Sequence, residues 1–518
     1  MRKLPRVSPV AVAAALSCGL GAAAPAWAFC GFFVSGTDAS LHNSASQVVL
    51  LREGSRTFLT MSNDYKGPLA DFALVVPVPV VLKPGDIKTL DPEVLRYLDK
   101  VTAPRLVEYW EQDPCKLDAE DPMNRRSVEL ALLAGAVRPE AESEREPDLG
   151  VRVEARFTSG EYRILILSAK ESSGLATWLR RSGYKLPAGA ETALAPYIRD
   201  QMKFFVAKVD IKKVKRDARG TVVLSPLRMS YESSELRLPV RLGLLNAAGP
   251  QDLLIYLLHP RQRFVAANYP NAVIPTNLEV SESVRADFGG FYGDLFDATV
   301  RAAGGRAVVT EYVWQSASCD PCPVPPIPEQ HLLSLGAVEQ PAPAGSPSRV
   351  PPGGEPRVSL QEPPMQGIKV TYPDPWRGAR TRTPVAVRPY LITRLHARYD
   401  KDTLAEDLIF QEAPPLYGGH ADRGPLGSPT QEQGAVASSF QGRYAILHDW
   451  DGPVLCTPPR YRIWGGPPSA GARLPPLQSA IEPAGAVRGQ KDLGRSILTP
   501  LPSLGIAGKP RARPVFPE

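Results

Sequence analysis

Tyr390-Leu391-Ile392-Thr393-Arg394-Leu395-His396-Ala397-Arg398-Tyr399 is the stretch that decides the fold class. Leu391, Thr393, Leu395 and Ala397 alternate with Ile392, Arg394, His396 and Arg398. A two-residue period sends successive side chains to opposite faces, which is the pattern of a β-strand. The same alternation returns in Val151-Arg152-Val153-Glu154-Ala155-Arg156-Phe157, where Thr158-Ser159-Gly160 turns the chain and Tyr162 to Leu167 runs back. Gln47-Val48-Val49-Leu50-Leu51-Arg52 is a further candidate strand, as are 56–62, 72–76, 105–110, 204–214, 221–224, 236–245, 253–258, 306–314, 404–411, 444–450 and 461–464. Pro77 and Pro79 exclude a central ladder position there, because proline has no N–H to give. Helices are fewer. Asp91-Pro92-Glu93 opens one, with Val94, Leu95, Leu98 and Val101 at helical spacing and Pro104 as its stop. Others are expected near 126–134, 175–181, 190–202 and 288–302. Together these segments predict an α+β protein: mixed, largely antiparallel sheets with a few covering helices.

Length and composition set the organisation. The chain has 518 residues, enough for about three domain-sized units. Lys+Arg 60 against Asp+Glu 54 leaves +6, with no long basic run. A nucleic-acid binder carries a basic face or stripe, so no nucleic-acid partner is expected. The start is basic (Arg2, Lys3, Arg6), Val10 to Ala24 is small and apolar, and Ala26-Trp27-Ala28 fits a signal-peptidase site. Residues 1–28 therefore read as a secretory signal, with the mature chain starting at Phe29. A lipoprotein would need Cys18 at the cleavage point, and Leu16 sits one place too close to it. No second apolar stretch reaches the roughly 20 residues of a spanning helix, so no transmembrane span is expected in the mature chain. The expected location is periplasmic or extracellular.

The remaining chain divides by texture. An N-terminal α+β unit is expected over 29–150 and a second over 151–338, ending in Cys319-Asp320-Pro321-Cys322. A Pro-rich disordered insertion follows at 339–387, then C-terminal strands at 388–465 that pack on the body, then a disordered tail at 466–518. Glu108-Tyr109-Trp110 before Asp113-Pro114-Cys115 is echoed by Glu311-Tyr312-Val313-Trp314 before Asp320-Pro321-Cys322. The echo points to an internal duplication or to coincidence over a few residues. Under duplication, Cys115 would lie close to one of the Cys319/Cys322 pair.

Export changes how cysteines are read. Cys30, Cys115, Cys319, Cys322 and Cys456 remain after cleavage and are disulfide candidates. Five is odd, and spacing does not choose the pairing. Cys319-Asp320-Pro321-Cys322 has the spacing of a redox pair, but Pro323 after it argues against the helix start that would activate a thiol. A zinc site needs a second ligand pair, so a structural disulfide is the leading reading. The six histidines, His42, His259, His331, His396, His420 and His448, form no His-Glu-x-x-His pattern. No Gly-x-Ser-x-Gly elbow, phosphate loop or dinucleotide fingerprint is present either. Asp449-Trp450-Asp451-Gly452 and Asp400-Lys401-Asp402 are fragments of a calcium loop without its further ligands, and read as turns. No metal or cofactor is expected.

Five stretches carry a family resemblance: Ala28-Phe29-Cys30-Gly31-Phe32-Phe33, Asn63-Asp64-Tyr65 through Val75-Val76-Pro77-Val78-Pro79, Trp178-Leu179-Arg180-Arg181-Ser182-Gly183-Tyr184, Cys319-Asp320-Pro321-Cys322-Pro323 and Thr393-Arg394-Leu395-His396-Ala397-Arg398-Tyr399. In this order the chain resembles the bacterial exported proteins grouped as domain of unknown function 2330, over about 25–335 and 388–465. The resemblance implies export and adds no activity. The expectation is an exported, non-catalytic binding or structural protein whose partner is an unidentified protein or envelope component. The alternatives are a thiol-disulfide protein using Cys319 and Cys322, or a hydrolase with dispersed residues, for which His396 and His448 are the candidate bases.

Overall fold

Val48 to Leu51 and Leu253 to Leu258 are apolar without alternation, as befits strands covered on both faces. In the structure, a computed structural model, they lie side by side and parallel, Val48 opposite Ile255 and Leu50 opposite Leu257. The described residues are 32–35, 42–66, 72–115, 150–216, 222–246, 250–340, 386–400, 402–420, 437–467, 478–479 and 492–508.

The parallel pair is the centre of a ten-stranded sheet. Its order is Tyr417–Gly418, Ser439–Gln441, Val308–Gln315, Leu391–Tyr399, Gln251–His259, His42–Glu53, Arg56–Lys66, Leu227–Glu232 and Ile87–Thr89, with Asn271–Val273 added beside Val308–Gln315. Strands from 29–150, 151–338 and 388–465 thus interleave in one sheet. One face buries Val48, Leu50, Leu253, Ile255, Leu257, Leu395 and Ala397 against a second sheet. That sheet is antiparallel throughout and runs Phe32–Ser35, Phe72–Val78, Lys203–Val209, Tyr162–Ala169, Val151–Ser159. Its outer face meets Leu175, Trp178, Leu179, Leu194 and Tyr197, from helices Ser172–Arg181 and Ala190–Arg199. The opposite face of the large sheet buries Val49, Leu51, Leu254, Tyr256 and Leu258 under Val94, Leu95, Leu98 and Val101 of helix Glu93–Thr102. Each such side chain contributes about 1.5–3 kcal/mol when fully buried. A third sheet sets Arg443–His448 parallel to Arg105–Glu111, beside helix Phe288–Ala302.

Several expectations are corrected by local physics. The strand expected at 236–245 stops after Arg237–Leu238, because Pro239 cannot donate, and a 3-10 turn, Arg241–Asn246, follows. Among the described residues Pro77 pairs with Phe204, and the pairing described on the other side of that strand reaches Val75. The echoed strands lie in different sheets: Arg105–Glu111 runs parallel to Arg443–His448 in the third sheet, whereas Val308–Gln315 lies in the large sheet between Leu391–Tyr399 and Ser439–Gln441. The ends of the insertion, Glu339–Gln340 and Ala386–Val387, pair with each other. Helix 126–134, the proposed signal at 1–28 and Cys30 lie outside the described residues.

The tail expected at 466–518 is not unstructured over 492–508. Leu493–Ser496 forms a helical turn, Ile497 and Leu501 are buried in the core around Phe291 and Leu295, and Ile497 bridges to Val280. Composition averaged these anchors away among prolines and glycines. Ile497→Ala should therefore destabilise the protein by about 2–5 kcal/mol in urea titration. An unchanged midpoint would mean that the segment does not pack.

Candidate functional site

The alternation of Leu391–Tyr399 places Arg394, His396 and Arg398 on one face, and a polar face suggests solvent. The structure buries Arg394 and His396 and leaves Arg398 half-buried. The side chains of Arg394 and His396 are each 1% exposed. Charge at such depth is tolerated only when paired and hydrogen-bonded, and three elements supply the partners. Glu311 sits at a β-bulge in Val308–Gln315, between Thr310 opposite Leu395 and Tyr312 opposite Arg394. A bulge adds a residue and re-aims its side chain. Here the Glu311 carboxylate accepts from Arg394 Nε (2.7 Å) and lies 2.7 Å from His396 Nδ1. Helix Glu93–Thr102 brings Asp99, which accepts from Arg394 and from the Tyr256 hydroxyl (2.8 Å). Gln251–His259 brings Asp252, 3.2 Å from His396 Nε2. Helix Phe288–Ala302 closes the site: Tyr292 donates to Glu311, and Phe296 stacks on His396 at 3.9 Å.

Both ring nitrogens of His396 face carboxylate oxygens, which only accept, so both carry protons and the ring is an imidazolium. Burial alone would lower its pKa, but Glu311 and Asp252 raise it to about 9. Burial would raise the Glu311 carboxyl, and His396 and Arg394 bring it down to about 2. These groups spend their hydrogen bonds on each other beneath two helices. The arrangement fastens helices to sheet.

His448 lies elsewhere. Its Nε2 is 2.9 Å from Glu108 Oε2, its ring stacks on Trp110 at 4.6 Å, and Arg285 Nε donates to Glu108 Oε1 at 2.9 Å. The structure does not bring His396 and His448 together. Among the described residues, neither has a Ser, Thr or Tyr hydroxyl as a hydrogen-bond partner.

Among the described residues, a histidine that does meet a hydroxyl is His420, which carries no local sequence signal. Its Nε2 lies 3.0 Å from Ser439 Oγ and 2.9 Å from the Ser439 carbonyl, and its Nδ1 lies 3.9 Å from Asp320 Oδ2. A carbonyl oxygen only accepts, so Nε2 donates to it and is not free to take a proton from Ser439. The ring is held between Trp314 (4.6 Å) and Tyr417 (4.1 Å). His420 thus flanks the loop that carries Asp320.

The cysteines pair as Cys115–Cys456 and Cys319–Cys322, with Cα–Cα distances of 5.4 and 4.9 Å. The contact between Cys115 and the Cys319/Cys322 pair expected from duplication is therefore corrected: the parallel neighbours Arg105–Glu111 and Arg443–His448 carry Cys115 to Cys456 instead. The bonds differ in weight. Chain entropy assigns about 6 kcal/mol to a bond spanning 341 residues and about 2 kcal/mol to one spanning 3. The first is a staple. The second contributes little as one. No helix starts at the Cys319–Cys322 loop, since Glu329–Leu335 begins seven residues later. The loop is gripped by Arg105, which is 0% exposed. Its Nη1 donates to the Pro321 carbonyl and its Nη2 to the Val101 carbonyl (2.6 Å). Asp400, in the calcium-loop fragment, accepts from the Asp402 and Thr403 amides (2.9 Å each), a plain turn. Among the described residues no group of His, Cys, Asp and Glu has a metal-holding arrangement, and no helix is long and apolar enough to cross a membrane.

Several mostly antiparallel sheets, few helices, a buried ionic knot and two disulfides define a mixed α/β protein. A family model matches residues 24–411, and the chain belongs to that family, described as an uncharacterized protein conserved in bacteria (DUF2330). No curated protein and no solved structure matches the chain.

The ionic knot sets a pH signature. His396, raised from 6.5 to about 9, stabilises fully below 6.5 and loses that contribution as pH rises through about 9. Glu311, lowered from 4.5 to about 2, stabilises above 4.5 and loses its contribution as pH falls through about 2. The urea midpoint should be greatest between these windows and fall towards alkaline pH, with the alkaline fall flattened in His396→Gln. Glu311→Ala should cost about 3–5 kcal/mol by stranding two buried cations. A variant as stable as the parent would refute the pairing.

Proposed function

We propose that the chain is an exported protein, periplasmic or secreted, that binds or builds rather than catalyses. The Cys115–Cys456 bond carries this reading. It joins residues 341 positions apart in the segments that follow two neighbouring strands, and such structural bonds are characteristic of oxidising compartments. The basic and apolar stretch before Ala28 supports the same compartment. The binding or structural role draws support from where the strongest charges lie. Glu311, Arg394 and His396 are sealed within the core and engaged with one another, and His448 is engaged with Glu108.

The test is expression from the native start in a bacterium with an intact export system, followed by fractionation and intact-mass measurement without reductant. The expected product begins at Phe29, lies outside the cytoplasm and resists alkylation at Cys115 and Cys456. Full-length chain in the cytosol with both thiols alkylated would reject the reading.

A further inference from the structure

Cys319 and Cys322 form an exposed bond with little leverage on stability, and their surroundings are unlike those of a staple. Cys322 is exposed and Cys319 half-buried. Beneath the loop, the Arg105 guanidinium is buried and donates to carbonyls, not to a carboxylate: Pro321, immediately before Cys322, and Val101. Its Nε makes no hydrogen bond, and burial brings its pKa down to about 10. Beside the loop, His420 faces Asp320 at 3.9 Å and is fixed by Trp314, Tyr417 and Ser439. A thiolate is favoured where cationic groups lie close and solvent has access. Asp320, inside the loop, opposes them. The buried Arg105 guanidinium, donating to the carbonyl just before Cys322, gives the pair a means of stabilising a leaving thiolate other than the helix start it lacks.

We propose that Cys319–Cys322 is a thiol-disulfide exchange site that accepts electrons from a dithiol on a partner protein, with Cys322 as the attacked sulfur and Cys319 as the leaving thiolate. A partner thiolate attacks Cys322 Sγ, the partner–Cys322 bond forms, and the Cys319–Cys322 bond breaks with its electron pair on Cys319. The partner's second thiolate then attacks its own sulfur in the mixed disulfide and releases Cys322. The partner gives up two electrons and two protons and becomes a disulfide, and the pair gains them as two thiols. Arg105 is the positioning residue on the positive side, and Asp320, which His420 faces at 3.9 Å, sets how oxidising the pair is. This goes beyond a binding or structural role. It is testable on purified oxidised protein whether or not the export reading holds.

The experiment titrates the purified chain with dithiothreitol redox buffers and maps thiols by alkylation and mass spectrometry. The expected result is reversible reduction of Cys319–Cys322 in native protein at potentials that leave Cys115–Cys456 intact. Cys319→Ser, which leaves the exposed Cys322, should form a mixed disulfide with oxidised glutathione about tenfold faster than Cys322→Ser, which leaves Cys319. Asp320→Asn should lower the thiol pKa and make the pair easier to reduce, a readout that a purely structural role would not move. The proposal is overturned if the pair opens only together with Cys115–Cys456, or if the two single variants react at equal rates. An unchanged potential in Asp320→Asn would remove the role given to that carboxylate.

Discussion

Arg394 carries a full charge where water does not reach, and the middle of the molecule is arranged around that fact. An unpaired guanidinium at this depth costs several kcal/mol, and a pair repays it only with good geometry and satisfied hydrogen bonds. Glu311 and Asp99 provide the countercharge from opposite directions, one from a bulged strand and one from a helix. Tyr256 and Tyr292 fill the remaining acceptor positions on those carboxylates. The apolar contacts around the network are non-directional and would tolerate several helix positions. The ionic contacts select one, so Glu93–Thr102 and Phe288–Ala302 are fixed against the sheet in register and not merely covered by it.

Much of the fold was legible from period and punctuation. The alternation in Leu391–Tyr399 and Val151–Ser159 gives strands, and Asp91-Pro92-Glu93 gives a helix start that the structure places at Glu93, with the Asp91 carboxylate accepting from the Glu93 amide. What period cannot convey is which face is wet. Arg394, His396 and Arg398 look like a solvated row, and only tertiary partners drawn from segments more than 80 residues away make Arg394 and His396 interior. Glu311 was visible only as one letter of an echo, because a bulge is a property of two strands and not of one. His396 and His448 stand out in the sequence only as candidates for a hydrolase; the carboxylate beside each, Glu311 and Glu108, is supplied by folding. His420 carried no local signal: its neighbours Asp320 and Ser439 are brought to it by folding. Pairing of the cysteines was equally hidden, since strand adjacency decides it.

Family membership and structure together describe a bacterial protein in which the perturbed pair Glu311 and His396 helps hold the core. The two disulfides divide the remaining tasks between them. Cys115–Cys456 ties together segments 341 residues apart, while Cys319–Cys322 closes a small loop that Arg105 anchors. Arg105 connects these regions physically: it starts the strand that leads to Cys115, and it holds Pro321.

The placement of Arg443–His448 beside Arg105–Glu111 also sets a timetable. Synthesis proceeds from the N-terminus, so the earlier strand is made long before its neighbour exists. The same holds for His42–Glu53, which waits for Gln251–His259. Pairings this distant along the chain close slowly and leave sticky edges uncovered meanwhile. The edge of Arg105–Glu111 that Arg443–His448 covers is therefore open for most of the time the chain takes to be made.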